Sequence, residues 1–491
     1  MWKALFERRG GKGLSLQEQI CQMLVAAVLD GQVSSDVPLP SSRRMAQRLG
    51  VSRNTVIIAY QRLVDHGYLL ARERRGYFVN PDMRPVPARG DSPVPPPGEP
   101  DNAPDWAGRF RFRPSDQRNI EKPADWQDFP YPFLYGQFDA ELFPAAEWRE
   151  CCLRTLSAME IGEWAQDMIL RDDASLIAQI RQRLLPRRGV WAGEDEIIIT
   201  VGAQQALYLL ADLLVGRDTA VGIEDPGYPD ARNIFGARSE RLVALPVDGE
   251  GLMVTPALAA CDYVYTTPSH QCPTTVTMSM ARRTALLEQA AAADVILIED
   301  DYESQVSFRG DPFPTLKSMD RSARVIYVGS LSKSLAPGVR LGYVVGPREL
   351  IAELRHARRL NLRHPTAFLQ RAFGLFLSLG YHDALLARLA EVRHRRARAL
   401  VDALGRYLPQ IHCVPVSGGS SAWLQGPPAL DVQRLHRDCK DLGVLIEPGG
   451  IFFRDPADGQ HCFRLGFSAI KTQRIEAGIQ LIRDAVSRQH L

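Results

Sequence analysis

The chain has 491 residues, 45% of them hydrophobic and 24% charged, with a formal net charge of +2. This is too long for one ordinary domain, and the composition is that of a soluble globular protein of two or three packed units. No apolar run approaches bilayer length and the N-terminal nine residues lack a secretory apolar core, so a cytoplasmic protein without a membrane partner is expected.

The eight cysteines include one adjacent pair, Cys151-Cys152, and show no CxxC or Cys/His ligand spacing. Free buried thiols and no metal site are therefore expected. The charge is unevenly spread. Residues 1–80 carry about +6 and the remainder about −4, which points to a polyanionic partner for the N-terminal part alone.

In chain order, residues 14–30 place Leu16, Ile20, Met23, Leu24, Ala27 and Val28 at helical spacing behind a Ser15 cap. A short helix is predicted over 42–49, and Gly50-Val51 then turns the chain. Ser52 caps a further helix running to His66, where Gly67 stops it. The residues from Tyr68 to Val79 read as a two-stranded wing with Arg72, Arg74, Arg75 and Gly76 at its basic tip.

Residues 81–109 are proline-rich and predict a semi-extended linker between a first domain at 1–80 and a second at 110–491. Beyond the linker, a strand at 196–201 leads into a helix at 204–215, and buried strands are predicted at 294–298 and 324–328. This alternation predicts an α/β domain with a mostly parallel sheet, whose ligands sit beyond the strand ends.

The N-terminal pattern suits DNA. A helix-turn-helix presents short polar and basic side chains at the start of its second helix, where they meet base edges. Ser52, Arg53, Asn54 and Thr55 supply that start; Arg43 and Arg44 are placed to reach the phosphate backbone, and the wing, with Arg75 and Gly76, an adjacent minor groove. Any one of these arginines could equally be a solvated surface residue. The stretch Pro38-Leu39-Pro40-Ser41-Ser42-Arg43, with Leu49-Gly50-Val51-Ser52-Arg53-Asn54-Thr55-Val56 and Gly67-Tyr68, resembles the winged helix-turn-helix of GntR-type regulators. That resemblance implies a double-stranded DNA operator, with Arg43, Arg53 and Thr55 as contacts and Gly76 in the wing.

Four points in the second domain suit a cofactor. Ser330-Leu331-Ser332-Lys333 follows a strand, and a lysine there can form a Schiff base with a carbonyl; Arg340, seven positions on, can pair with a phosphate. Gly202, Ala203 and Gln204 open a helix whose free amides can cradle that phosphate. Glu299-Asp300-Asp301-Tyr302 ends another strand, and a carboxylate there can keep a pyridinium protonated. Arg464, inside an apolar strand, needs an anion.

Together these resemble the fold-type I aminotransferases, which implies pyridoxal 5'-phosphate on Lys333, a large α/β domain and a small C-terminal α+β subdomain. The resemblance assigns Ser330, Ser332 and Arg340 to the cofactor lysine motif. It sets Asp300 on the ring nitrogen with Asp301 as fallback, Tyr302 on the ring oxygen, Tyr228 stacked on the ring and Arg464 on an effector carboxylate. Across nearly the whole chain the pattern resembles the MocR subgroup of GntR-type transcription regulators, which implies a head-to-tail homodimer.

Some positions depart from working aminotransferases. Cys272 stands where an asparagine would bond the ring, with His270 and Gln271 as candidates to compensate, and the segment 168–176 lacks the usual Tyr and Gly. Asp230 stands near the place of a second carboxylate-binding arginine in a GABA-responsive member, so GABA is not the expected effector. The favoured function is a regulator that senses an amino compound through external aldimine formation at Lys333. The alternatives are an active aminotransferase carrying a DNA-binding module, and a DNA-binding protein whose second domain only dimerises.

Overall fold

A computed structural model describes residues 2–9, 14–73, 75–83, 104–303, 308 and 313–489. Arg74 at the wing tip and linker residues 84–103 lie outside the described residues. The chain divides into two compact units, Met1–Phe110 and Arg111–Leu491.

In the first unit, α1 (Trp2–Arg9) precedes α2 (Leu16–Leu29), α3 (Ser42–Leu49) and α4 (Arg53–Asp65). The sequence reading missed α1, which brings Trp2 into the core beside Ile20, Met45 and Tyr60. Ser15 caps α2 in a reciprocal box with Glu18, which satisfies two amides the helix leaves open. Gly50 ends α3 with φ of 69°, a left-handed turn that lets α4 start at a new angle. One face of α4 (Val56, Ala59, Tyr60 and Leu63) is buried, and Tyr60 Oη donates to the Pro40 carbonyl at 2.8 Å. The wing is an antiparallel pair, β1 (Leu69–Arg72) and β2 (Gly76–Val79), with Arg72 opposite Gly76.

The second unit holds an eight-stranded sheet: β3 (Ile197–Thr200), β4 (Ala220–Asp225), β5 (Arg241–Asp248), β6 (Gly251–Leu252), β7 (Tyr263–Thr266), β8 (Ile296–Asp301), β9 (Val325–Ser330) and β10 (Gly342–Val345). Their spatial order is β3-β10-β9-β8-β7-β4-β5-β6. Neighbours from β9 through β8, β7 and β4 to β5 are parallel, while β10 and β6 are antiparallel to theirs. Strands buried on both faces read as unbroken apolar runs, as Ile197-Ile198-Ile199 does. Ile198, Tyr265, Ile298 and Val328 form one face's core with Leu207 of α5 (Gly202–Leu214), while Ile197, Tyr327 and Tyr343 belong to another core cluster.

A second, smaller sheet has the order β11 (His412–Cys413), β12 (Ser421–Gln425), β14 (Cys462–Gly466), β13 (Glu447–Pro448). It shares a core with helices Tyr381–Tyr407, Val432–Asp441 and Thr472–Ser487. Among the described residues no helix is long and apolar enough to cross a membrane, and no cluster could hold a metal ion.

Candidate functional site

The loops after β3, β4, β7, β8 and β9 leave the sheet from the same edge, because these strands share one direction. Ligands of open α/β sheets sit at that edge. Here a cavity of about 140 Å³ is lined by Gly202, Ala203, Gln204, Tyr228, Asp300, Tyr302, Ser330, Ser332, Lys333, Arg340 and Arg464. All eleven residues expected at the cofactor and effector site thus surround one space. Cys272, expected beside the ring, also lines it, and Ile120, Tyr135, Leu207, Tyr265 and Pro337, to which sequence reasoning gave no site role, complete the wall.

The period-two alternation of β8 decides between its two aspartates. Asp300 shares the face of Ile298 and lines the cavity; its Oδ2 accepts from Tyr265 Oη at 2.9 Å, and buried Oδ1 has no partner among the described residues. Burial pushes its carboxyl up to about 7 against the opposing pull of Tyr265. Asp301 faces the other way. Arg188 Nε reaches its Oδ2 at 2.8 Å and Tyr327 Oη donates to the same atom at 2.7 Å, so this carboxylate is committed to the interior.

Lys333 follows β9, and its amine stands 4.4 Å from the Tyr135 ring centre. Burial, then the positive charges of Lys122 and Arg464, lower it to about 8, against the pull of Glu303. On the other side, α5 begins without a side-chain cap at its positive end, and its first residues, Gly202, Ala203 and Gln204, line the cavity. Gly202 has φ of 75°, and a Cβ there would sit 3.2 Å from the Arg340 guanidinium. Glycine takes that turn without strain, and a side chain there would crowd the guanidinium.

The unpaired Asp300 oxygen, the depressed lysine and the uncapped helix beside Arg340 fit the ring nitrogen, carbonyl carbon and phosphate of a pyridoxal cofactor. Two hydroxyls are already engaged. Ser332 Oγ accepts from the Leu341 amide at 3.0 Å, fixing the lysine loop, and Tyr228 Oη lies 2.9 Å from both Gln204 Oε1 and Asp230 Oδ2.

Arg464 lines the cavity and also has an anion within the protein. Its burial in an apolar strand predicts a ligand anion, but Glu447, its register partner on the neighbouring strand, meets Nε at 2.8 Å. The guanidinium also lies 4.3 Å from the Tyr135 ring and 4.6 Å from that of Phe452, and buried Nη2 has no partner among the described residues. The departures near the ring resolve similarly. Gln271 donates to Glu224, Pro226 and its neighbour's carbonyl and does not line the cavity. His270 is buried 4.0 Å from Glu303 and does not line it either, while Cys272 does, with burial pushing its thiol up to about 12. Asp172 and Asp173, in the divergent segment, pair with Arg358 and cap a helix.

In the first unit, Arg43, Arg44, Arg53, Asn54, Arg75 and Gly76 are exposed and Thr55 is half-buried. Ser52 is exposed but its Oγ accepts from the Thr55 amide at 3.1 Å, so its side chain builds the start of α4. Arg72 stacks on Phe78 at 4.6 Å.

Residues 16–79 match the bacterial regulatory proteins of the gntR family, and residues 173–482 match aminotransferase class I and II. The chain is 40% identical over 487 residues, 99% of each protein, to the HTH-type transcriptional regulator TauR of Rhodobacter capsulatus. It is 30% identical, over 96% of its own length and 93% of the relative's, to the probable rhizopine catabolism regulatory protein MocR of Rhizobium meliloti. The α-aminoadipate aminotransferase LysN of Thermus thermophilus, complexed with N-(5'-phosphopyridoxyl)-L-leucine, matches 78% of this chain and 99% of its own with a TM-score of 0.70 and 26% identity. The chain belongs to the MocR-type subfamily of GntR transcriptional regulators, joining a GntR helix-turn-helix to a fold-type I aminotransferase domain whose cofactor is pyridoxal phosphate.

Proposed function

We propose that the protein regulates transcription by sensing an amino compound at Lys333 and transmitting the result to its DNA-binding unit. The observation that carries this reading is the convergence of the Lys333 amine, the free Asp300 oxygen and the Arg340-flanked start of α5 on one cavity. When bound, the cofactor supplies an aldehyde carbon that exchanges one amine for another. Lys333 would hold the cofactor through that carbon, and an effector amine would compete with it for the same place.

Asp300 would keep the ring nitrogen protonated, Tyr302 would bond the ring oxygen and Tyr228 would stack on the ring. The amides of Gly202, Ala203 and Gln204, with Ser330 and Arg340, would hold the phosphate, while Ser332 keeps the lysine loop in place. Arg464 receives the effector's anionic end. Release of Lys333 then biases the equilibrium between arrangements of a head-to-tail homodimer in the cytoplasm, re-spacing two DNA readers.

Borohydride reduction of the cofactor-loaded protein, followed by digestion, tests the attachment. The labelled peptide is expected to contain Lys333, and a label elsewhere rejects the sensor. Turnover as an aminotransferase is the second reading, served by the same Lys333, Asp300 and Arg464. Cys272, where a ring-bonding asparagine is expected, weighs against it.

For the DNA unit we place Arg43, Arg44, Arg53, Asn54, Thr55, Arg75 and Gly76 against the operator, with Ser52 shaping the helix start. A bidentate arginine–base contact discriminates by about 1–3 kcal/mol, so Arg53→Ala is expected to cut operator preference about tenfold or more. Competition with non-operator DNA at fixed salt measures this, and an unchanged cofactor absorbance shows that the second unit is intact. Equal loss on both DNAs would make Arg53 a phosphate contact instead.

A further inference from the structure

Glu303 follows Tyr302 directly, and its carboxylate is buried where three distant segments meet. Oε1 accepts from Ser420 Oγ at 2.5 Å, just before β12, and lies 3.7 Å from Arg393 Nη1 on the helix Tyr381–Tyr407. Oε2 lies 4.0 Å from His270 Nε2, and both of these buried atoms lack a hydrogen-bond partner among the described residues. A Cβ on Gly419 would stand 2.3 Å from that histidine nitrogen, so the chain is closely packed around the carboxylate.

Arg393 joins this carboxylate to the lysine loop. Its Nη2 donates to the Lys333 carbonyl at 3.4 Å while Nη1 faces Glu303, so one guanidinium spans the two. Neither Glu303 nor Arg393 lines the cofactor cavity.

The other groups around the Lys333 amine offer it little negative charge. Lys122 and Arg464 share the Tyr135 ring with it, and Glu447 is bound to Arg464. Burial pushes the Cys272 thiol up to about 12 and raises the Tyr135, Tyr228, Tyr265 and Tyr302 phenols, so all five stay uncharged at neutral pH. Asp300, pushed up to about 7, is only partly charged, and Asp230 is hydrogen-bonded by Tyr228. Burial also lowers the proton affinity of His270 and keeps that neighbour of Glu303 neutral. Glu303 exerts the strongest pull toward the charged lysine.

We propose that Glu303 is a positioning residue for Lys333, the buried counter-charge against which the amine is held, with Arg393 as the opposing charge that moderates it. This rests on the reading that Lys333 carries the cofactor, and adds to it two residues outside the cavity that set when the amine is free to react. An opposite charge nearby favours the ammonium and a like charge favours the free amine. Removing the two residues should therefore act in opposite directions, whereas a general loosening of the site would move both variants the same way.

The test follows loading of the cofactor-free full chain with pyridoxal 5'-phosphate across pH by stopped-flow absorbance. In wild type the rate should level off at about 8. Glu303→Gln is expected to lower that point by about one pH unit and Arg393→Met to raise it by a similar amount. Glu303→Asp keeps the charge and should stay nearer to wild type than Glu303→Gln does. Borohydride labelling of each variant checks that attachment is still at Lys333. With the label there, a point that is unmoved in both variants, or that moves the same way in both, overturns the proposal and leaves the sensor reading standing. A wild-type label elsewhere rejects both. Should Glu303→Gln fail to fold, Arg393→Met decides alone, and an unmoved or lowered point in it overturns the proposal.

Discussion

Lys333→Ala is expected to abolish borohydride-fixable attachment of the cofactor and all response to amines, while operator binding by the separate first unit persists. The reason lies in the amine's surroundings. With its proton affinity lowered to about 8 from an ordinary 10.5, about one lysine in ten is neutral at pH 7, against about one in three thousand for a solvated lysine. Only the neutral amine attacks an aldehyde, so the lowered proton affinity favours attachment at neutral pH.

The sign of the pH dependence follows. A depressed lysine gains nucleophile as pH rises, so loading of cofactor-free protein should accelerate about tenfold per pH unit up to about 8 and then level off. Stopped-flow absorbance measures this. Loading that keeps rising to pH 10 would place the attacking amine outside the cavity, and unchanged loading of Lys333→Ala would remove it from the chemistry.

The second large effect is on stability. Arg464→Ala should destabilise the second unit by about 3–5 kcal/mol, because it leaves the Glu447 carboxylate buried without its guanidinium. Urea unfolding followed by tryptophan fluorescence reads this, since Trp423 is the register partner of Arg464 on β12. A functional loss in that variant is therefore ambiguous. Replacing the pair together, Arg464→Met with Glu447→Gln, should restore most of the stability because no buried charge is stranded. It should still lose the preference for anionic amines. A double variant that keeps the preference would show that Arg464 does not carry recognition. An Arg464→Ala protein as stable as wild type would show that Glu447 can reach water.

Much of this arrangement was legible in the chain because it is local. Ser15, Ser41 and Ser52 each cap a helix through their own side chains, and Gly50 ends α3 by a backbone preference that needs no distant partner. The parallel strands announce themselves as apolar runs, and the lysine and phosphate loops follow those runs directly. The helix Trp2–Arg9 was missed because it is short and held by Trp2 packing into a core built from later residues.

The amino-acid order by itself determined which groups could do chemistry: a lysine after a strand, an arginine seven residues on, an acidic strand end and a basic helix start. Tertiary structure decided which of them face one another. The pleat of β8 turned Asp300 inward and Asp301 toward Arg188, register set Glu447 against Arg464, and folding brought the Tyr135 ring against the Lys333 amine across 198 positions of chain. Charge pairing between distant segments depends on distance in space, and a sequence records only distance along the backbone.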